Sequence, residues 1–132
     1  MRLPFGILFL MEEVYKNQEL LKLVRGTYYI HDSAVSRFDI YQQNDELLID
    51  VYFNSWDRKL KINRLLKIHF SGIIKYQFLY SSDYSFYDVE RYKFFEAETG
   101  FYISLDPYDE LEVISENDED VILCKTIEGQ FI

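Results

Sequence analysis

The residue types that carry out chemistry in proteins are sparse in this sequence. His31 and His69 are the only histidines, and Cys124 is the only cysteine. His31 is followed by Asp32 and Ser33, which together supply the residue types of a hydrolytic triad. Adjacent positions cannot supply triad geometry, which gathers side chains from separate elements. His69 falls on the polar side of an alternating segment, beside Lys67, and is expected to face solvent. Cys124 follows Val121-Ile122-Leu123, so a buried, inert thiol is expected. Two histidines and one cysteine do not make a zinc site of familiar spacing without carboxylate help. There is no glycine-rich phosphate loop. The 23 acids offer many carboxylate pairs for glycoside chemistry, but nothing singles one out. The expectation is a non-enzymatic protein with no catalytic residue, metal or cofactor.

What stands out instead is charge. The stretch DPYDELEVISENDED, residues 106–120, carries eight acids and no base. The formal net charge is -9, and removing those eight leaves -1 for the rest of the chain. Arg58, Lys59, Lys61, Arg64 and Lys67 put five bases within ten residues at another point. Charge runs are commonly solvated loops. Crowded carboxylates repel one another, however, and a negative face is useful where it meets a basic partner, because it speeds encounter and sets orientation. On this reading Asp106, Tyr108, Asp109, Glu110, Glu116, Asp118, Glu119 and Asp120 are partner-binding residues. A calcium site built from Asp106, Asp109 and Glu110, or from Asn117, Asp118 and Asp120, is the rival reading. The spacing does not match an EF-hand loop. The Tyr-Ser alternation of Tyr80 to Asp88 resembles paratope composition and adds Tyr84 and Tyr87 as candidate contacts. Trp56, in a polar segment, is a similar case. For both, rings that fold back to cover the core are the structural alternative.

The elements that must position these residues belong to one domain, residues 1–132. The chain has 48% hydrophobic and 28% charged residues, with no repeat and no Gly/Ser/Pro-rich linker. A pI near 4.6 argues against a phosphate backbone or an anionic membrane as the main partner. A lone thiol fits a reducing compartment, so a cytoplasmic protein is expected. Phe5 to Met11 is apolar after Arg2 and imitates a signal peptide, but Glu12-Glu13 end it without a small-residue cleavage site. It is read as a buried first turn or strand, or as an extension ahead of a start at Met11.

Glu12 to Arg25 is the one helical segment, with Val14, Gln18, Leu21 and Val24 on one face, Leu20 beside them and Gly26 as a left-handed C-cap. After Gly26 the period becomes two. Arg37 to Gln42 and Leu47 to Phe53 form a hairpin about Gln43-Asn44-Asp45, and Asn54 to Asp57 reads as the next turn. Leu66 to Tyr80 keeps one parity through Gly72, as one strand bent there in preference to a hairpin. Val89 to Ala97 and Phe101 to Leu105 are strands joined at Glu98-Thr99-Gly100. Val121 to Ile132 is the last strand, with a short helix through Ile122-Leu123-Cys124 as the alternative. The predicted fold is mainly β (α+β): an antiparallel β-sandwich or partly open barrel of six or seven strands with one N-terminal helix. Aromatic residues, at 18%, suit such pleated, half-buried surfaces.

Gly100 to Glu110, followed by Ile114-Ser115-Glu116-Asn117-Asp118 and a closing strand, resembles small acidic bacterial proteins, among them immunity proteins of polymorphic or contact-dependent toxin systems. The resemblance implies a protein that blocks a cognate toxin by binding it, and it names no toxin. It transfers no binding residue. The acidic stretch, separately, suits a basic partner whose working surface handles nucleic acid, such as a nuclease-type toxin. A small-ligand or carbohydrate-binding β-domain, using the Tyr84 to Tyr87 loop and Trp56, is the alternative.

Overall fold

A computed structural model describes residues 13–83 and 88–132. The expected N-terminal turn or strand at Phe5 to Met11, and the candidate contacts Tyr84 and Tyr87, lie outside the described residues. The element order is β1 (Tyr15–Lys16), α1 (Gln18–Gly26), β2 (Ser33–Gln43), β3 (Glu46–Asp57), β4 (Ile62–Gln77), β5 (Asp88–Val89), β6 (Lys93–Glu96), β7 (Phe101–Asp106) and β8 (Glu119–Phe131). All pairings are antiparallel, in the order β5-β2-β3-β4-β8-β7-β6. The sheet curls into a half-barrel, so of the two predicted packings the partly open barrel is the one formed. β8 is the hub. β4 runs along one side of it, and β7 and β1 share the other.

Local sequence explains much of this curl. Asn44 and Asp45 both adopt positive φ, the backbone of a tight primed hairpin turn, and they join β2 to β3. Gly72 has φ 62 and lies inside β4, where the pairing register with β8 then shifts between Ile73 and Lys75. A glycine followed by a bulge bends a strand without ending it. β5 and β6 close the figure. The sequence reads Val89 to Ala97 as one strand, but Glu90, Arg91 and Tyr92 interrupt it and carry the chain from one end of the sheet to the other. Four Cα steps span at most about 15 Å, so the two sheet ends are held that close.

The helix fills the concave side. Leu20, Leu21 and Val24 are buried there with Ile49, Val51, Phe53, Leu66, Ile68, Phe70, Ile122 and Ile127. Each such side chain contributes on the order of 2 kcal/mol of apolar burial. The helix is shorter than predicted. It starts at Gln18 because Tyr15 and Lys16 pair with Gly129 and Glu128 of β8. Asn17 exchanges hydrogen bonds with Ile127: its N–H donates to the Ile127 carbonyl at 2.9 Å, and its Oδ1 accepts from the Ile127 N–H at 3.1 Å. Val14 is exposed as a result. At the other end Gly26 is the last helical residue, and Thr27, in right-handed conformation, is the cap.

Cys124 is fully buried, and burial pushes its thiol up to about 12, as expected for an inert cysteine. Among the described residues no helix is long and apolar enough to cross a membrane.

Two local expectations are corrected. Asn54 to Asp57 is not a turn. β3 runs on through it because Ser55 and Asp57 point into buried surroundings while Asn54 and Trp56 face out. The turn is Arg58 to Lys61, gathered by Asp57, whose carboxylate accepts the Lys59 and Leu60 N–H groups at 2.9 and 3.0 Å and Arg64 at 3.1 Å. His69 is not free in solvent. Its Nδ1 lies 2.6 Å from Asp50 Oδ1, and the Tyr41 hydroxyl donates to the same carboxylate at 2.8 Å.

Candidate functional site

The acidic run leaves β7 at Asp106-Pro107 and returns at β8. In between, residues 107–118 fold back over the outer face of the sheet, where Lys93, Phe95, Tyr102, Ser104, Val121 and Leu123 share one side by register. The fold-back is organised by a lysine that the sequence reading passed over. Lys93 is 1% exposed at its side chain. An ammonium has three N–H donors, and here they meet the Val113 carbonyl at 2.8 Å, Asp109 Oδ1 at 2.9 Å and Asp118 at 3.0 Å. Asp118, whose side chain is fully buried, also accepts the Tyr102 hydroxyl at 2.7 Å and the N–H groups of Tyr108 and Ser115 at 2.9 and 3.0 Å. Both ends of the loop are thus tied to one carboxylate.

The electrostatics follow from these partners. Burial pushes the Asp118 carboxyl up, but the Tyr102, Tyr108, Lys93 and Ser115 donors outweigh it and hold it below the usual carboxylate range. Asp109 is held low by its bond to Lys93. Burial works against the Lys93 charge, and the two carboxylates more than restore it. Asp57 is low for a similar reason: burial raises it, while Leu60, Arg64 and Lys59 donors lower it further. The sign is the same for all three acids. Their folded-state pKa lies below the unfolded one, so their contribution is complete above the ordinary value near ~4 and disappears as pH falls through the depressed values. The urea midpoint is expected not to fall from about pH 7 to about pH 5, where protonation of Glu119, whose carboxyl is raised, adds stability, and to fall below about pH 4. Loss of stability starting above pH 5 would remove this account.

Several expected contact residues therefore have other roles. Asp118 and Asp120 are corrected from surface contacts to internal struts. Asp120 is 1% exposed and accepts the Leu79 N–H at 2.9 Å, tying the chain after β4 to the start of β8. Asp109 spends one oxygen on Lys93 and Leu111. Asp106 and Glu119 face each other across β7 and β8, where burial first, and then the Asp106 charge and hydrogen bond, raise the Glu119 carboxyl. Glu110 and Glu116 remain on the loop surface as expected, and Glu112 reaches Arg25 at 2.7 Å.

The loop surface is not only acidic. Tyr108, Leu111 and Val113 are more than 60% exposed, at 64, 63 and 61%, and Ile114 is exposed beside them. Three aliphatic residues inside an eight-acid run were the available sequence signal, and the charge count masked it. The mid-chain bases do not cancel this surface by any ion pair among the described residues. Arg64 pairs with Asp57, Lys67 lies 3.8 Å from Asp50, and Arg58 stacks over Tyr29. The described residues contain no cluster of three or more His, Cys, Asp or Glu arranged to hold a metal. In comparisons with known proteins, no family, curated protein or solved structure matched this chain.

Proposed function

We propose that this protein is a non-enzymatic binding protein whose loop 107–118 docks on a basic protein partner, as an immunity protein neutralises a toxin. One observation carries the reading. A loop clamped from beneath by a buried lysine presents Tyr108, Leu111 and Val113 to solvent, with Glu110 and Glu116 around them. Apolar anchors with a charged rim are the anatomy of a protein interface. A loop that is already ordered avoids part of the entropy loss of association. The acids add steering toward a positive surface. Compared with a purely electrostatic patch, this places the affinity on the aliphatic and aromatic side chains and the association rate on the carboxylates.

The test is protection of cells that express the product of the neighbouring gene together with this chain. Leu111→Asp combined with Val113→Asp is expected to weaken the complex roughly 100-fold or more, the effect of losing two anchors, and to abolish protection. Glu110→Lys combined with Glu116→Lys is expected to slow association and flatten its salt dependence. Undiminished protection by a folded Leu111→Asp/Val113→Asp variant would show that the loop is not the interface.

A further inference from the structure

A second surface is built on the outer side of the sheet, at the corner where α1 leads into β2. Tyr28 points inward and is fully buried, and Tyr29 turns outward. The Tyr29 N–H lies 3.5 Å from the Trp56 carbonyl, which sets Tyr29 beside Trp56. Register then places Asn63 of β4 directly across from Trp56, and Ala34 directly across from Asn54. The result is a groove of about 580 Å³, within the size range of small-ligand sites. Two aromatic rings form its walls, and an alanine keeps one side low. His31 and Asp32, 3.2 Å apart, stand at the rim.

Trp56 is 44% exposed on a strand whose alternate residues are buried. The core gains little from an indole in that position, and large exposed aromatics are enriched where partners bind. The chemistry of the lining narrows the occupant. No lysine or arginine lines the groove; Arg58, 4.9 Å from the centre of the Tyr29 ring, is not part of the lining, and Asp32 faces the groove, which disfavours a phosphate or other anion. A purely apolar ligand would strip water from Asn54, Asn63 and Asp32 and return no hydrogen bond. A neutral polyhydroxylated ring meets both demands: its C–H face lies on an aromatic ring, and its hydroxyls pair with amides that both donate and accept.

We propose that this groove binds a neutral oligosaccharide, with Trp56 as the stacking platform and Asn54 and Asn63 as the hydroxyl-reading groups. No residue of loop 107–118 lines the groove, although His31 at its rim also lines a hollow beside Glu110 and Leu111, and the proposal does not rest on the docking role given to that loop.

The chain has 12 tyrosines but Trp56 is its sole tryptophan, so fluorescence excited at the long-wavelength edge where only indole absorbs reports on this groove. The probes are cellotriose, maltotriose and triacetylchitotriose, each titrated to about 10 mM, beyond a weak millimolar Kd. At least one is expected to give a saturable change, with AMP giving none. Asn54→Ala and Asn63→Ala keep the tryptophan and alter exposed side chains, so the fold is retained. Each is expected to weaken binding about tenfold, the loss of one or two hydrogen bonds to the ligand. Leu111→Asp/Val113→Asp is expected to titrate like the wild type. The proposal is overturned by no response to all three sugars, by a response to AMP alone, or by asparagine variants that bind as tightly as the parent.

Discussion

Lys93→Met is expected to destabilise the protein by roughly 3–5 kcal/mol, the usual result of removing one partner from a buried ion pair. Methionine replaces the stem of the lysine and fills similar space, so the loss isolates the ammonium. Three acceptors are stranded at once: the Val113 carbonyl, Asp109 and the fully buried Asp118. Asp118 keeps Tyr102 and two backbone N–H groups, but a carboxylate without a counter-charge is still costly in that setting. The melting temperature should fall by roughly 10–20 °C for a chain of this size. Adding Asp118→Asn should cost less than its effect in the parent, because the charge that Lys93 balances is then absent. The two substitutions should couple by about 1 kcal/mol or more in a double-mutant cycle. Hydrogen exchange at Tyr108 and Ser115 should quicken in Lys93→Met before the sheet amides change. Strict additivity, with unchanged exchange at both amides, would mean that the clamp does not hold the loop.

Gly100→Ala is the second large effect, at about 3 kcal/mol, the upper end of what overpacking usually costs. Gly100 closes the turn between β6 and β7, where its carbonyl accepts the Ala97 N–H at 2.7 Å. A Cβ there would lie 2.2 Å from the Cys124 carbonyl oxygen and 3.0 Å from its carbon. Those atoms are backbone of the hub strand, so no rotamer change relieves the clash. β7 would have to draw away at the Phe101–Cys124 pair, where its register with β8 begins. Gly26→Ala is the control, because nothing lies within 4 Å of a Cβ at that position. It ends a helix, where alanine is favoured over glycine, and should be neutral or stabilising by up to about 1 kcal/mol. Equal effects of the two substitutions on the urea midpoint would contradict this reading.

The parts of the fold that were legible are those that nearby residues decide. Asn44-Asp45 announced the hairpin, Gly72 announced the bend, and period-two alternation announced β3, β4 and β7. What was misread depends on distant partners. Tyr15 and Lys16 carry a helical pattern, but β8, more than 100 residues later, claims them for its edge. Tertiary pairing overrides propensity in such places. Asn-Ser-Trp-Asp has turn composition, yet Ser55 and Asp57 are buried and the segment pairs with β4 through Ile62, so the strand continues through it. At the candidate site, the residues of the acidic run were found as a group but not sorted. Counting charges cannot separate Glu110, which faces water, from Asp118, which faces Lys93. That distinction requires knowing that the loop folds onto the outer side of β6 and β7. Lys93 itself gave no signal beyond one lysine ahead of two phenylalanines in a four-residue strand.

β8 has a further consequence for how the chain matures. It is the hub of the sheet, and it comes later in the chain than each strand it pairs with. Until β8 has emerged, β4 presents a long open edge, β7 lacks its inner neighbour, and β1 has no strand to pair with among the described residues. The β2–β3–β4 meander can form from local contacts as it emerges, but the barrel can assemble only once β8 has joined, through contacts of high sequence separation. The nascent chain should therefore be a client of chaperones that shield strand edges, and a stall just before Glu119 should leave an aggregation-prone product.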